Sequence, residues 1–305
     1  MLSDEITIDQ NKCTGCGMCI KTCYFEMWSL VNGKAEMTGE RCLGCGHCEA
    51  ACPAHAIRIS CLHDETLHFK TFTPNRKWLA PGKFDTASLV QLMGSRRSCR
   101  NFTQQPVPGT VLEDLIKIGV TAPSGTNSQL WTFTIVPARQ AVIAFAEPVG
   151  VFFKKVNKLA ANGFLRTLLK LFGDNRLEMY YRSHYPSVKK ALEEWEQEKK
   201  DRLFHGATAA LIIGSKPGAS CPQDDAMLAT QNILLAAHSM GLGTCLIGFA
   251  VAAMRKDKNI KRSLGIPEEE IVYSVIALGH PDEQYERVIR RKKPAVRYLN
   301  VNSEV

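Results

Sequence analysis

Eight of the chain's twelve cysteines fall into two copies of one run: Cys13-x2-Cys16-x2-Cys19-x3-Cys23, then Cys42-x2-Cys45-x2-Cys48-x3-Cys52, followed by Pro53. This spacing restricts the backbone severely. Three thiolates two residues apart on a tight loop reach three corners of a cube, and the fourth corner has to come from elsewhere. A segment built this way has a small core that depends on its inorganic centres. Zinc is the simpler alternative for paired CxxC motifs. Zinc sites take four ligands as two pairs, however, and runs of three thiols plus one suit that poorly. Iron–sulfur is the reading we adopt. His47 stands inside the second run, where all eight thiolate places are filled, so we read it as lying beside the centre or on the surface. Cys61, Cys99, Cys221 and Cys245 remain, and with the two runs they argue against disulfides and for a reducing, cytoplasmic compartment.

The two runs resemble bacterial-type two-cluster 4Fe–4S ferredoxins. The resemblance implies two 4Fe–4S clusters with exchanged fourth ligands. One would take Cys13, Cys16, Cys19 and Cys52, the other Cys42, Cys45, Cys48 and Cys23. Tyr24 departs from relatives that carry proline after both runs, which changes the turn and leaves the ligands untouched. Between the runs, short strand-like stretches flank Asn32-Gly33, the strongest two-residue hairpin signal. Residues 1–62 therefore read as a compact two-cluster module. Residues 63–84, with Thr73-Pro74-Asn75 and Ala80-Pro81-Gly82, read as a linker, and 85–305 as a second domain.

A chain of 305 residues with 45% hydrophobic content is long enough for about two domains with a substantial core. Its net charge of +8 is unevenly placed. Residues 1–73 carry six Lys/Arg against nine Asp/Glu, leaving 32 against 21 for the remainder, so the halves stand at −3 and +11. A basic second domain suits either nucleic acid or an anionic cofactor, and the motifs below favour the cofactor. Met1–Glu5 has neither a basic nor an apolar character, so no signal peptide is expected. No apolar run approaches the length of a membrane span.

In the second domain Asp85 reads as the N-cap of a short helix ending at Gly94, and Thr110-x-x-Glu113 as a capping box. Strands are expected at 131–137, 208–214, 244–249 and 271–278, with an apolar helix from Asp225 to Met240. Strands and helices do not alternate regularly, which predicts an α+β fold rather than a parallel doubly wound sheet. Residues 151–203 form a helical insertion. Its basic amphipathic part, 152–172, is read as a cover for an active site or partner subunit in preference to a membrane-surface element. Residues 188–203 read as a solvated, ion-paired helix.

Arg96-Arg97-Ser98-Cys99-Arg100 packs three guanidiniums and a hydroxyl into five residues, which suits a phosphate. A polar, Gly/Pro-bent loop, Ala122 to Gln129, offers amides able to read the edge of a flat heterocycle. RRSCRNF (96–102), APSGTNSQLWTF (122–133), DDAMLATQNILLAAHSMGLGTCLIGF (224–249) and ALGHP (277–281), followed by Arg290-Arg291-Lys292-Lys293, resemble the nitroreductase family of FMN enzymes in family order. The whole chain thus resembles a ferredoxin–nitroreductase fusion, implying a small two-cluster domain followed by a nitroreductase-like α+β sandwich. The resemblance implies FMN as cofactor. Arg96, Arg97, Ser98, Arg290 and Arg291 would hold its phosphate, and Arg100 would face the N1/O2 edge. Asn127 and Gln129 would bind the pyrimidine edge, and the backbone N–H groups of Ile247 and Gly248 would meet N5 and O4. It also implies an intertwined homodimer with FMN at the interface. Leu130 and Ile247 depart from residues common among relatives.

No side chain needs to act as a nucleophile, because the flavin carries the chemistry. His205, His238 and His280 are read as structural, and Cys99 and Cys245 as buried small hydrophobes. The expected function is an FMN oxidoreductase that passes electrons between two 4Fe–4S clusters and FMN to reduce a small organic acceptor such as a nitroaromatic. An external ferredoxin or an NAD(P)H-linked reductase would be its electron partner. The alternatives are an electron carrier or redox sensor without turnover, an FMN dehydrogenase feeding an external ferredoxin, and a zinc-bearing nucleic-acid binder. The last predicts a colourless protein with salt-sensitive binding.

Overall fold

The computed structural model describes residues 6–299; Met1–Glu5, considered above for a signal peptide, lie outside the described residues. In the N-terminal module β1 (Ile6–Ile8) pairs antiparallel with β4 (Ile57–Ile59), and β2 (Trp28–Val31) with β3 (Lys34–Met37). Asn32 and Gly33 connect that hairpin with φ of 50° and 77°, the two positive values that a type I′ turn requires. Helices α1 (Met18–Thr22) and α2 (His47–Ala51) each start after a left-handed glycine, Gly17 and Gly46. Met27, Trp28, Ala35, Ile57 and Ile59 make a small core shared with Cys13, Cys19 and Cys48.

Residues 63–84 are clasped to the second domain through their first half. A 3₁₀ turn (Asp64–Leu67) precedes Phe69 and Phe72, whose rings stack 4.5 Å apart. The fully buried Asp114 of α4 (Gly109–Gly119) accepts from the amides of Lys70 (2.9 Å) and Thr71 (2.7 Å) and from the Thr71 hydroxyl (2.7 Å). Lys117 on the same helix donates to the His68 carbonyl, and Lys70 pairs with Glu113. That ion pair corrects one expectation. Glu113 faces Lys70 instead of closing a capping box, and α4 starts two residues early, with Pro108 rather than Thr110 at its N-cap.

Burial pulls the Asp114 carboxyl up, but the hydrogen bonds from Lys70 and Thr71 outweigh it and hold the group below the usual carboxylate range. A depressed folded-state pKa means the clasp contributes fully above about pH 4 and fades as pH falls through the depressed value. Asp114→Ala strands both amides and should cost roughly 1–3 kcal/mol. Limited proteolysis within 63–84 should speed up in the variant at neutral pH, and in the wild type only under acid.

The second domain is built on one antiparallel sheet in the order β5 (Trp131–Val136), β6 (Ala209–Ser215), β8 (Ile271–Gly279), β7 (Gly243–Leu246). Every residue of β6 is buried, because helices cover both faces. On one face α4 and α9 (Pro222–Ser239) pack Leu112, Leu115, Ile233 and Ala237 against Leu211, Ile213 and Ile276. On the other, α5 (Arg139–Ala161), α10 (Gly248–Lys256) and α11 (Lys258–Ser263) cover Ala210, Ile212 and Val275. The α+β expectation holds. Helix α3 (Thr86–Ser95) is capped by the Asp85 carboxylate, which accepts from the Ser88 amide.

The expected strand 244–249 stops at Leu246, since Gly248 opens α10. The insertion is a helical excursion that begins inside α5 and continues through α6 (Gly163–Leu171), α7 (Arg176–Ser183) and α8 (Tyr185–Glu198). Asn162 breaks the stretch 152–172 by capping α6 through the Leu165 amide. No helix among the described residues is long and apolar enough to cross a membrane.

Candidate active site

Each of two cavities in the N-terminal module takes three cysteines from one run and one from the other. Cys13, Cys16, Cys19 and Cys52 line one cavity with Ala35 and Ile57. Cys23, Cys42, Cys45 and Cys48 line a second, of about 200 Å³, with Trp28 and Ile59. Because α1 and α2 pack together, the cysteine at the end of each helix faces the opposite run. Among the described residues no three His, Cys, Asp or Glu side chains converge as a single ion needs. The sulfurs instead surround cavities, the arrangement a cubane asks for. Backbone amides serve those sulfurs: Ala35 donates to Cys13 (3.4 Å), Gly44 to Cys42 (3.2 Å) and Ala56 to Cys52 (3.3 Å). Donation from Ala35, then Gly15, holds the Cys13 thiol below its ordinary pKa. Burial pushes Cys48 up to about 11, so coordination to metal is what would keep it a thiolate at neutral pH.

In the second domain the strip Ser98–Phe102 runs along the β7 edge. Ser98 bridges to Thr244, the Cys99 amide donates to the Thr244 carbonyl (2.9 Å), and Phe102 bridges to Pro281. Two glycines allow that approach. A Cβ on Gly243 would stand 2.8 Å from Cys99, and one on Gly279 would stand 2.8 Å from Phe102. The strip delivers Arg96 and Arg97 beside Arg291. Arg96 is held below its ordinary pKa by burial and by the charges of Arg291 and Arg97. This concentration of like charge fits an anionic group such as a phosphate. Arg290 is exposed in the same C-terminal segment. Glu283 fixes the strip by accepting from the Arg100 amide (3.1 Å) and the Asn101 side chain (2.9 Å).

Ile247 and Gly248 do not play equal parts. The Ile247 amide already donates to the Val275 carbonyl (2.8 Å), so it is withdrawn from the role expected of it. Gly248 opens α10 on the exposed side, and a Cβ there would meet nothing within 4 Å, leaving room for a flat ligand against its N–H. Thr244 and Gly248 are four residues apart, at most roughly 14 Å even along fully extended chain.

The loop 122–130 stands elsewhere. It leads into Trp131, which pairs with Ser215 and through it with Ile271, whereas Ser98 and Thr244 align with Leu278 at the far end of β8. Seven residues along the strand and four strand spacings across put loop and strip roughly 30 Å apart, at opposite corners of the sheet. Thr126, Asn127 and Gln129 have φ of 50°, 54° and 48°, left-handed values that cost non-glycine residues on the order of 1 kcal/mol each. The buried Asp225 of α9 holds the loop, accepting from the Gly125 amide (2.8 Å) and the Ser128 hydroxyl (3.3 Å). The Asn127 amide group donates to the carbonyls of Leu43 (2.9 Å) and Gly44 (3.1 Å), which lie between Cys42 and Cys45. Gln129 donates in turn to the Asn127 side-chain oxygen (3.0 Å). Sequence reasoning missed this bridge, and it also missed Asp225, Glu283 and the glycines that admit the strip. Only the hydroxyl- and amide-rich composition of 124–129 hinted that the loop needed outside support.

Cys99 and Cys245 are 3% and 4% exposed, and burial raises both thiols, in keeping with a packing role.

Residues 93–280 match the description "Nitroreductase family", and residues 12–57 match "4Fe-4S dicluster domain". The chain belongs to the nitroreductase family, as a flavin oxidoreductase fused to a two-cluster 4Fe–4S ferredoxin domain. A relative in Archaeoglobus fulgidus, provisionally named as an NADH dehydrogenase/NAD(P)H nitroreductase, is 25% identical over 200 residues, 64% of this chain and 86% of that one. An iodotyrosine deiodinase of Thermotoga neapolitana is 25% identical over 202 residues, 64% and 89% of the two chains. Among solved structures, a nitroreductase with bound FMN from Desulfitobacterium hafniense superposes with a TM-score of 0.49 at 21% identity, covering 68% of this chain and 97% of that one.

Proposed function

We propose that this protein draws electrons one at a time through its two 4Fe–4S clusters, collects them in pairs on FMN, and reduces an electron-poor aromatic acceptor such as a nitroaromatic. The observation that carries the reading is the Asn127 bridge, which ties the loop of one cluster to the loop expected to meet the flavin. Arg96, Arg97, Arg290, Arg291 and the Ser98 hydroxyl would hold the phosphate, and Gly248 would give its N–H to the N5/O4 edge. Arg100 would lie by N1/O2, where positive charge favours the anionic reduced ring, and Gln129 would reach the ring from the loop. Bound FMN supplies the conversion between one-electron and two-electron chemistry.

The acceptor's place is a cavity of about 720 Å³ between α5 and α8, lined by Val149, Phe153, Val188, Leu192, Trp195 and Phe249. Phe249 directly follows Gly248, so the cavity adjoins the start of α10. Its apolar and aromatic walls suit a flat, weakly polar compound. The bordering Lys154, Lys190 and Arg202 are paired with Glu196 and Glu194 and do not select for an anion. The strip and the loop, at opposite corners of one sheet, serve one flavin only if two copies of the chain meet, which supports a homodimer with FMN between the subunits. A chain of twelve cysteines, eight of them placed to hold clusters, suits the cytoplasm.

The test is anaerobic purification with iron, sulfide and FMN quantified, then stepwise reduction followed in the visible spectrum. About eight irons and one FMN per chain are expected, with both chromophores reoxidised when a nitroaromatic is added. Zinc without flavin would overturn the proposal. Stable reduction in the presence of every acceptor tried would leave an electron carrier.

A further inference from the structure

We infer that the cluster held by Cys23, Cys42, Cys45 and Cys48 is the one that reduces FMN, and that it does so in trans, through Asn127, toward an FMN anchored by the arginines of a second copy of this chain. This rests on the FMN reading above and adds which cluster and which subunit deliver the electrons.

Leu43 and Gly44, the carbonyls that Asn127 grips, lie between two ligands of that cluster, and Gln129 extends the contact toward the ring side of the loop. The other cysteine loop turns inward on its own module. Gly15 sits so tightly on the hairpin that a Cβ would come 2.1 Å from the Gly33 carbonyl oxygen. Among the described residues that set makes no hydrogen bond to the Asn127 loop, and it is left as the entry point for electrons from outside. Exposure does not separate the two sets, since Cys16 and Cys45 are both exposed. The direction in trans follows from the sheet. Asn127 stands roughly 30 Å from Ser98 of its own chain, by strand rise and spacing, farther than one FMN reaches. The flavin that meets this loop is therefore held by another chain's Arg96 and Ser98. In each transfer the cluster loses one electron and the flavin gains it. Two transfers and one proton from solvent complete the anionic two-electron reduced flavin, with a low-potential one-electron donor resupplying the clusters.

The test uses full-length holoprotein as mixed dimers carrying two affinity tags, one chain Arg96→Ala and the other Asn127→Leu. FMN is kept too dilute to fill the weakened site. A photoreduced deazaflavin supplies single electrons, and absorbance follows cluster bleaching and then flavin bleaching. Pure Asn127→Leu dimers should transfer up to about a hundredfold more slowly than wild type, the scale of loss when an oriented contact shifts by about an ångström, with cluster and flavin spectra unchanged. The mixed dimer should transfer at the wild-type rate, because its one filled FMN faces the intact loop of the Arg96→Ala chain. A mixed dimer as slow as the pure Asn127→Leu dimer would place transfer within one chain and overturn the trans route. Equal rates in Asn127→Leu and wild type, or weakened FMN binding as the sole effect of the variant, would overturn the role of Asn127. Wild-type protein with eight irons and no flavin would instead sink the FMN reading itself.

Discussion

Cys52→Ala is expected to strip iron from the cavity of Cys13, Cys16 and Cys19 and to leave its own run, Cys42 to Cys48, with a complete set of ligands. The reason is geometric. Cys52 ends α2 and lines the first cavity, while Cys23 ends α1 and lines the second. A cluster left with three thiolates loses its hold, and in small metal-folded domains metal binding is worth on the order of 10 kcal/mol of folding free energy. The variant should therefore hold about four irons in place of about eight, and its module should be cleaved readily by protease. Because the two cavities share one small core, the module is expected to loosen as a whole, whereas the second domain keeps its own sheet and both of its helical layers. Double variants decide the pairing. Residues that act on one centre are not additive, so adding Cys16→Ala to Cys52→Ala should cost no further iron. Adding Cys45→Ala should empty both sites. The opposite pattern, read by iron analysis and electron paramagnetic resonance, would mean that each run closes its own cluster.

Much of this arrangement was legible beforehand because its causes are local. Cysteine spacing, Asn32-Gly33 in a left-handed turn and Asp85 as a cap each act within a few residues, and the structure places each as expected. The readings that failed involve partners distant in sequence. Glu113 has no capping box to close because α4 begins at Gly109, which puts Thr110 inside the helix, and it pairs instead with Lys70, 43 positions away. Ile247 lost its free amide to Val275 across the sheet, a contact invisible until strand order is known. Asn127 carries the same lesson. Its sequence neighbours suggested a flavin edge, while its hydrogen bonds run to a loop more than 80 residues away. Even the corner-to-corner separation of strip and loop depends on β6 lying between β5 and β8, which no single motif encodes.

Arg96→Ala should weaken FMN binding about tenfold to a hundredfold and leave the flavin-free protein as stable as wild type or slightly more so. Losing a hydrogen bond to a charged group costs roughly 1.5–3 kcal/mol, and each 1.4 kcal/mol is a factor of ten in affinity. The second half of the expectation comes from electrostatics. Arg96 caps the end of α3, where burial first, and then the charges of Arg291 and Arg97, hold it below its ordinary pKa. A guanidinium stays protonated regardless, so the repulsion persists until an anion enters. Removing the residue relieves it, and binding phosphate relieves it in the wild type. Inorganic phosphate should accordingly raise the melting temperature of flavin-free wild type more than that of the variant. Arg96→Lys keeps the charge but not the planar fork, and should fall between the two in FMN affinity. Flavin fluorescence titration and thermal melting in phosphate-free buffer read both halves. If the variant binds FMN as tightly as wild type, the phosphate lies elsewhere. If it melts well below wild type without flavin, Arg96 is a structural residue and the anion site has been misplaced.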